Sequence, residues 1–117
     1  MKNKNCIFCK IIKKEIPAEY IEETNNFIAI LDAHPKAEGH ALIIPKKHAV
    51  TLLDIPNKLA EEMLQITKKV SSKILDSKQG DGFNIIMNNL APAGQAVMHA
   101  HLHIIPRKES DGLRMIA

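Results

Sequence analysis

Val97-Met98-His99-Ala100-His101-Leu102-His103-Ile104-Ile105-Pro106 alternates imidazole and apolar side chains through its middle, and the rest of the chain is best read outward from it. On a strand, successive side chains point to opposite faces. A strand over Val97–Pro106 therefore predicts three imidazoles on one face and Met98, Ala100, Leu102 and Ile104 on the other. Neighbouring imidazoles would stand about 6.6 Å apart at about 3.3 Å per residue. The apolar set suits a core beneath helices. The histidine face must be polar or accessible, because three unpaired imidazoles in a dry core are costly.

Three readings of that face are open from the residues alone: a half-exposed surface strand, a His-x-His metal site, and a phosphate site. In the last, one imidazole attacks phosphorus while its neighbours bind oxygens and move protons. Immediately upstream, Ala93-Gly94-Gln95-Ala96 follows Asn88-Asn89. A glycine there lets backbone N–H groups approach and cradle an anion. Together with the histidines it favours the phosphate reading.

Further outward, Phe83–Asn88 reads as the preceding strand, and Gly80-Asp81-Gly82 as the stop of a long helix over about Pro56–Asp76. Leu59, Met63, Ile66, Val70 and Ile74 fall at steps of three and four, one stripe along that helix. Towards the N-terminus, His40–Pro45, Phe27–Asp32 and Ala18–Glu22 read as strands, with a turn over His34–Gly39. Ile7, Phe8, Ile11 and Ile12 predict a short helix from Ile7 to about Ile16, ending before Pro17. Short connections between consecutive strands predict an α+β fold: an antiparallel sheet with helices on one face. Lys108–Ala117 carries weak structural signals.

At 117 residues the chain suits one domain, residues 1–117, with one core. Hydrophobic residues at 45% and charged residues at 25% are in the globular range. No apolar run approaches the roughly 20 residues of a membrane span, and Met1–Asn5 is not followed by the apolar stretch of a signal peptide. A cytoplasmic protein is expected. The formal charge of +3 is scattered, and aromatics are 3% of the chain, which argues against a nucleic-acid binder. Cys6 and Cys9 form a Cys-x-x-Cys pair. No parallel-strand pattern surrounds it, so metal binding is favoured over thioredoxin-like redox chemistry if two more ligands exist. The plainer alternative is two reduced thiols at a helix start.

Gly94-Gln95-Ala96-Val97-Met98-His99-Ala100-His101-Leu102-His103-Ile104-Ile105-Pro106-Arg107 resembles the signature of the histidine triad (HIT) superfamily. Cys6–Ile12, Glu15-Ile16-Pro17, Leu31-Asp32 and Gly39–His48 are similar to its Hint branch, in the same order. The resemblance implies the HIT-like fold, a five-stranded antiparallel sheet with a short N-terminal helix and one long helix. Two copies would join as a homodimer into one larger sheet. It further implies a nucleotide hydrolase or transferase acting on purine nucleoside 5'-phosphoramidates and aminoacyl adenylates through a nucleotidyl-histidine intermediate. By this resemblance His101 is the nucleophile, His103 binds phosphate oxygens, His99 completes the triad, and His40 supports the proton network. Asp32 would hold the ribose hydroxyls, Phe8, Ile16 and Ile30 would line the base pocket, and Asn88, Gly94 and Gln95 would surround the phosphate. A neighbouring imidazolium can protonate the leaving amine, and no catalytic metal is required. Members with the cysteine pair resemble structural zinc binders whose set here would be Cys6, Cys9, His48 and His99. Ala96 stands where many Hint-branch proteins carry a hydroxyl, and Asp111–Ala117 lacks the tryptophan and proline of some family tails. A Fhit-like diadenosine polyphosphate hydrolase and a non-catalytic nucleotide-binding or adaptor module are the alternative readings. His34 is expected to be an ordinary turn residue.

Overall fold

A computed structural model describes residues 5–114. Five strands form one antiparallel sheet: β1 (Tyr20–Glu23), β2 (Phe27–Leu31), β3 (Ala41–Pro45), β4 (Gly82–Ile86) and β5 (Leu102–Arg107), in the order β1-β2-β3-β5-β4. Two helices accompany it, α1 (Ile7–Ile12) and α2 (Ala60–Asp76).

The helices lie on opposite faces of the sheet, not on one as expected. Ile28, Ile30, Leu42 and Ile44 pack with Phe8, Cys9 and Ile11 of α1. Their alternates Phe27, Ala29, Ala41 and Ile43, with Ile104, pack against Ile66, Val70 and Ile74 of α2. The reason is legible in hindsight: β2 and β3 are apolar at every position, the pattern of strands covered on both sides. The predicted stripe of α2 is the buried one, with Leu59 and Met63 at its margin. Each fully buried aliphatic side chain contributes about 1.5–3 kcal/mol.

Both helices are closed by left-handed lysines; α2 ends at Asp76 as expected, while α1 ends well short of Pro17. At α1 the chain turns four residues early. Lys14 sits at φ 66, and the Glu15 N–H donates back to the Lys10 carbonyl at 2.9 Å. At α2 the same geometry recurs at Lys78, with φ 62, and the Gln79 N–H reaches the Ile74 carbonyl at 3.1 Å.

The expected strand over Val97–Pro106 begins only at Leu102, so His99 and His101 precede it. Regular pairing with β3 stops at Ile43 opposite Leu102. The next β3 position that could donate across the ladder is Pro45, which has no N–H. The chain crosses instead, with the Ala100 N–H donating to the Ala49 carbonyl at 2.6 Å. The histidines nevertheless keep a common side. His99 and His101 meet Phe8 of α1, and His103 meets His40, while Leu102 and Ile104 face α2. No helix among the described residues is long and apolar enough to cross a membrane.

Candidate active site and metal centre

β2 and β3 are joined so that Asp32 and His40 flank the turn, with the Asp32 N–H on the His40 carbonyl at 2.9 Å. Position parity places both on the α1 face of the sheet, as continuations of Ile28–Ile30 and Leu42–Ile44. His103, opposite Leu42, arrives on the same face from β5. These three side chains converge: His40 Nε2 lies 3.0 Å from His103 Nδ1 and 3.5 Å from the Asp32 carboxylate.

The proton positions follow from the main chain. The Lys36 N–H donates to His40 Nδ1 at 3.0 Å, so that nitrogen holds its lone pair and Nε2 carries the proton. His40 Nε2–H then donates to His103 Nδ1, which leaves the proton of a neutral His103 on its Nε2. Burial pushes His40 below its ordinary pKa, and the Asp32 charge opposes this only in part. Burial, with help from His101 and His40, pushes His103 down to about 4. In the free protein the neighbours of His101 are therefore neutral donors at neutral pH, not the imidazolium expected from sequence.

His101 is 7% exposed. Its Nδ1–H donates to the His99 carbonyl at 2.7 Å, leaving Nε2 with a bare lone pair. Its ring centroid lies 5.0 Å from that of His103. A cavity of about 480 Å³ opens beside His103, lined by Asp32, His34, Lys36, His40, Asn88 and Arg114 among others. Ile86, Ile105 and Leu113 form its apolar walls. A wider cleft of about 660 Å³ between α2 and β1 carries no histidine or cysteine.

Of the remaining predicted residues, Asn88 lines the cavity and reaches the Gly94 carbonyl at 3.4 Å. Gly94, at φ 94, makes the turn that ends the Ala91–Ala93 3₁₀ turn. The N–H groups of Gly94 and Gln95 are spent inside the loop, on the carbonyls of Ala91 and Leu90. The buried Gln95 side chain is also committed. Its oxygen accepts from the Leu90 N–H at 2.6 Å, and its nitrogen donates to the carbonyls of Val50 and Val97. Between Gly94 and Met98 the main-chain donors with no bond among the described residues are those of Ala96, Val97 and Met98. Ala96 itself is exposed. Phe8, Ile16 and Ile30 belong to the core beneath α1 and do not line the cavity.

Sequence reading missed His34 and Lys36. The His34 side chain lines the cavity, and its N–H holds the Asp32 carboxylate at 2.9 Å. Lys36 acts on His40 through a main-chain amide, for which no side-chain pattern exists. Ile105 could have been found, since it stands two residues beyond His103 on the same face. The last three residues of the tail, Met115–Ala117, lie outside the described residues.

A second cluster sits behind His101. Cys6, Cys9, His48 and His99 point one donor atom each at a common centre. Cys6 Sγ is 3.2 Å and Cys9 Sγ 3.6 Å from His99 Nδ1, and Cys9 Sγ is 3.3 Å from His48 Nδ1. Tetrahedral zinc, with Zn–S about 2.3 Å and Zn–N about 2.05 Å, requires S···N edges of about 3.5 Å. The donors are thus already spaced for the ion. His99 Nε2–H donates to the Pro45 carbonyl at 2.8 Å, which turns the Nδ1 lone pair towards the sulfurs. Burial raises the Cys6 thiol pKa and lowers His99 to about 4, as expected for a dry cage that a cation would neutralise.

Asp32, His40 and His103 also lie within cation reach of one another. The Lys36 amide argues against a metal there. It occupies His40 Nδ1, so Nε2 has a proton where a ligand lone pair is needed.

Sheet order, loop histidines and the cysteine–histidine cage together define a histidine triad protein. The chain belongs to the HIT domain family, which matches residues 13–110. It is 43% identical over 109 residues to the adenylylsulfatase HINT3 of Arabidopsis thaliana, covering 93% of this chain and 55% of that one, so it spans about half that relative's length. It is 45% identical over 109 residues to the adenosine 5'-monophosphoramidase HNT1 of Saccharomyces cerevisiae, covering 92% of this chain and 66% of the yeast protein. A zinc-bound histidine triad family protein of Mycobacterium smegmatis superposes with TM-score 0.88 at 38% identity, over 95% of this chain and 81% of that one. SMU.412c of Streptococcus mutans superposes with TM-score 0.92 at 34% identity, over 99% and 74%.

Proposed function

We propose that this chain hydrolyses, or transfers from, purine nucleoside 5'-phosphoramidates and related adenylates through a nucleotidyl intermediate on His101. The observation that carries this reading is the His101 hydrogen bond to the His99 carbonyl, which leaves Nε2 unprotonated next to the neutral donor pair His40–His103. In the first step a bond forms between His101 Nε2 and the α-phosphorus, and the P–N bond breaks. The leaving nitrogen keeps the bonding pair and takes a proton from solvent, since His103 is neutral and its Nε2–H faces the phosphoryl oxygens. In the second step water attacks the phosphorus and gives up its proton to solvent, the bond from phosphorus to His101 Nε2 breaks, and the nucleoside monophosphate leaves with the free imidazole restored. Charge on the phosphoryl oxygens would be met by His103 Nε2–H and by the uncommitted N–H groups of Ala96 and Val97. Asp32 would accept the ribose hydroxyls at the cavity floor, with Asn88 near the phosphate. The name of the yeast relative supports the phosphoramidate bond, and that of the Arabidopsis relative supports an adenylyl substrate.

Cys6, Cys9, His48 and His99 would hold a zinc ion, which when bound supplies a structural tie between α1 and the histidine segment and no Lewis-acid role. A homodimer is also part of this reading. Edge strand β4 leaves Phe83 and Ile85 36% and 49% exposed, and Leu64 of α2 is 58% exposed. A cytoplasmic location completes it.

The test is turnover of an adenosine 5'-phosphoramidate ester by wild type and His101→Ala. Wild-type turnover should fall by about 10⁴-fold or more in the variant, as for loss of a covalent nucleophile. Absent wild-type turnover, with adenosine monophosphate still bound, would favour a non-catalytic nucleotide-binding module. Turnover of diadenosine polyphosphates alone would favour the Fhit-like reading.

A further inference from the structure

Phe8 is placed between the two clusters. Its ring stands edge-on to His99, with centroids 5.7 Å apart at 79°, and edge-on to His101, at 5.1 Å and 76°. It is 7% exposed and lies in the first turn of α1, between Cys6 and Cys9. Cys6 caps that turn, its sulfur accepting the Cys9 N–H at 3.4 Å. The same turn therefore carries both sulfurs of the metal cage and the ring that packs on the nucleophile. The His101 imidazole is also held by the His99 carbonyl, and His99 is itself a member of the cage.

We propose that Phe8 is a positioning residue for His101, and that the Cys6–Cys9–His48–His99 cage sets the nucleophile's ring orientation and tautomer through Phe8 and the His99 carbonyl. Two contacts fix the His101 ring, and both originate in the cage. Phe8 limits rotation about the side-chain torsion by packing against the imidazole. The carbonyl fixes which nitrogen bears the proton. His99 can hold that carbonyl in place only while its own ring is anchored, at Nε2 by Pro45 and at Nδ1 by the cage. A ring released from either contact would sample both tautomers and would present Nε2 to phosphorus for only part of the time. Misplacement of an attacking atom by about 1 Å costs on the order of 100-fold in rate.

This inference rests on the nucleophilic reading of His101, yet its main readout needs no turnover. The full-length protein, loaded with zinc, is compared with its chelator-treated form and with Phe8→Leu, using nitrogen-15 spectra of the histidine rings and zinc content by mass spectrometry. Wild type should show His101 as a single Nδ1–H tautomer. Phe8→Leu should retain zinc but show mixed tautomers, as should the chelated wild type. Single-turnover formation of the nucleotidyl enzyme in Phe8→Leu should fall about 10- to 100-fold, with adenosine monophosphate affinity changed less than about threefold. A Phe8→Leu protein that keeps the single tautomer and full rate, but binds the monophosphate weakly, would make Phe8 a wall of the base pocket and overturn the proposal. A His101 signature indifferent to zinc removal would overturn the link to the cage. Mixed tautomers in the variant, with no nucleotidyl enzyme formed even by wild type, would leave the positioning role standing and remove the functional reading instead.

Discussion

His99 and His40 are both buried imidazoles held by a main-chain group, and they differ in what that group is. His99 meets a carbonyl, that of Pro45; His40 meets an amide, that of Lys36. A carbonyl takes the ring proton and frees the lone pair of the far nitrogen. An amide occupies a lone pair and drives the proton to the far nitrogen. His99 accordingly offers a lone pair to the cage of sulfurs, while His40 offers a proton to His103. His101, bonded to the His99 carbonyl, follows the first pattern, and its free lone pair is what the proposed nucleophile requires. The polarity of a single backbone atom thus decides whether a buried imidazole here presents a lone pair or a proton.

The strongest way to break this contrast is at the cage. His48→Ala removes one ligand without touching His99 or the nucleophile. Zinc affinity should fall at least about 100-fold, which at saturating metal removes about 2.7 kcal/mol of stability and roughly 10 °C of melting temperature. After chelation, variant and wild type should melt together. Equal melting with zinc present would mean that the cage holds no metal. The same titration, done with cobalt, should bind one ion per chain with thiolate charge-transfer absorption. A second ion without that absorption would place metal at Asp32, His40 and His103 and contradict the assignment of the His40 proton.

His40→Gln tests the other arm. Glutamine can still donate to His103 but loses the acceptor for the Lys36 amide, so turnover of the phosphoramidate should drop about 10- to 100-fold while zinc content stays at the wild-type level. A drop in zinc content would show that the two clusters are not separate devices.

How far the contrast could be read from residues alone is instructive. The alternation in His99-Ala100-His101-Leu102-His103 correctly implied one side for the imidazoles and another for Leu102 and Ile104, even though His99 and His101 are not in a regular strand. The α2 stripe was legible because burial there is decided by side chains at helical spacing. The proton assignments were not, since Pro45 and Lys36 act through backbone atoms that any residue type would supply, proline's missing N–H aside. That the Gly94 and Gln95 amides are spent inside the loop was not legible for a similar reason. Gly94 marks a turn, and the turn consumes its own amides, so the free ones come after it. The α1 end was misjudged because Lys14 adopts a conformation for which glycine is the usual signal, whereas α2 ends at Asp76 as expected.

The smallest effect sharpens the comparison most directly, because it reads the neutral state of the relay itself. His103, facing His101, His40 and Asp32, is pushed down to about 4 by burial, against an unfolded value of 6.5. Between those values the unfolded chain takes up a proton that the folded chain refuses, so stability is complete above pH 6.5 and is lost as pH falls towards 4. Discounted for partial exposure, the contribution is about 1–2 kcal/mol. Denaturant midpoints of chelated wild type and chelated His103→Asn, followed from pH 7 to pH 4, isolate it from the metal. Asparagine can still accept the His40 proton, so the packing of the relay persists. Wild type should lose stability more steeply than the variant across that window. A wild type that instead gains stability over the variant as pH falls would mean that folding raises the His103 pKa and that the ring is already protonated at neutral pH. His40 would then have no lone pair to meet, and the relay would run in the opposite sense.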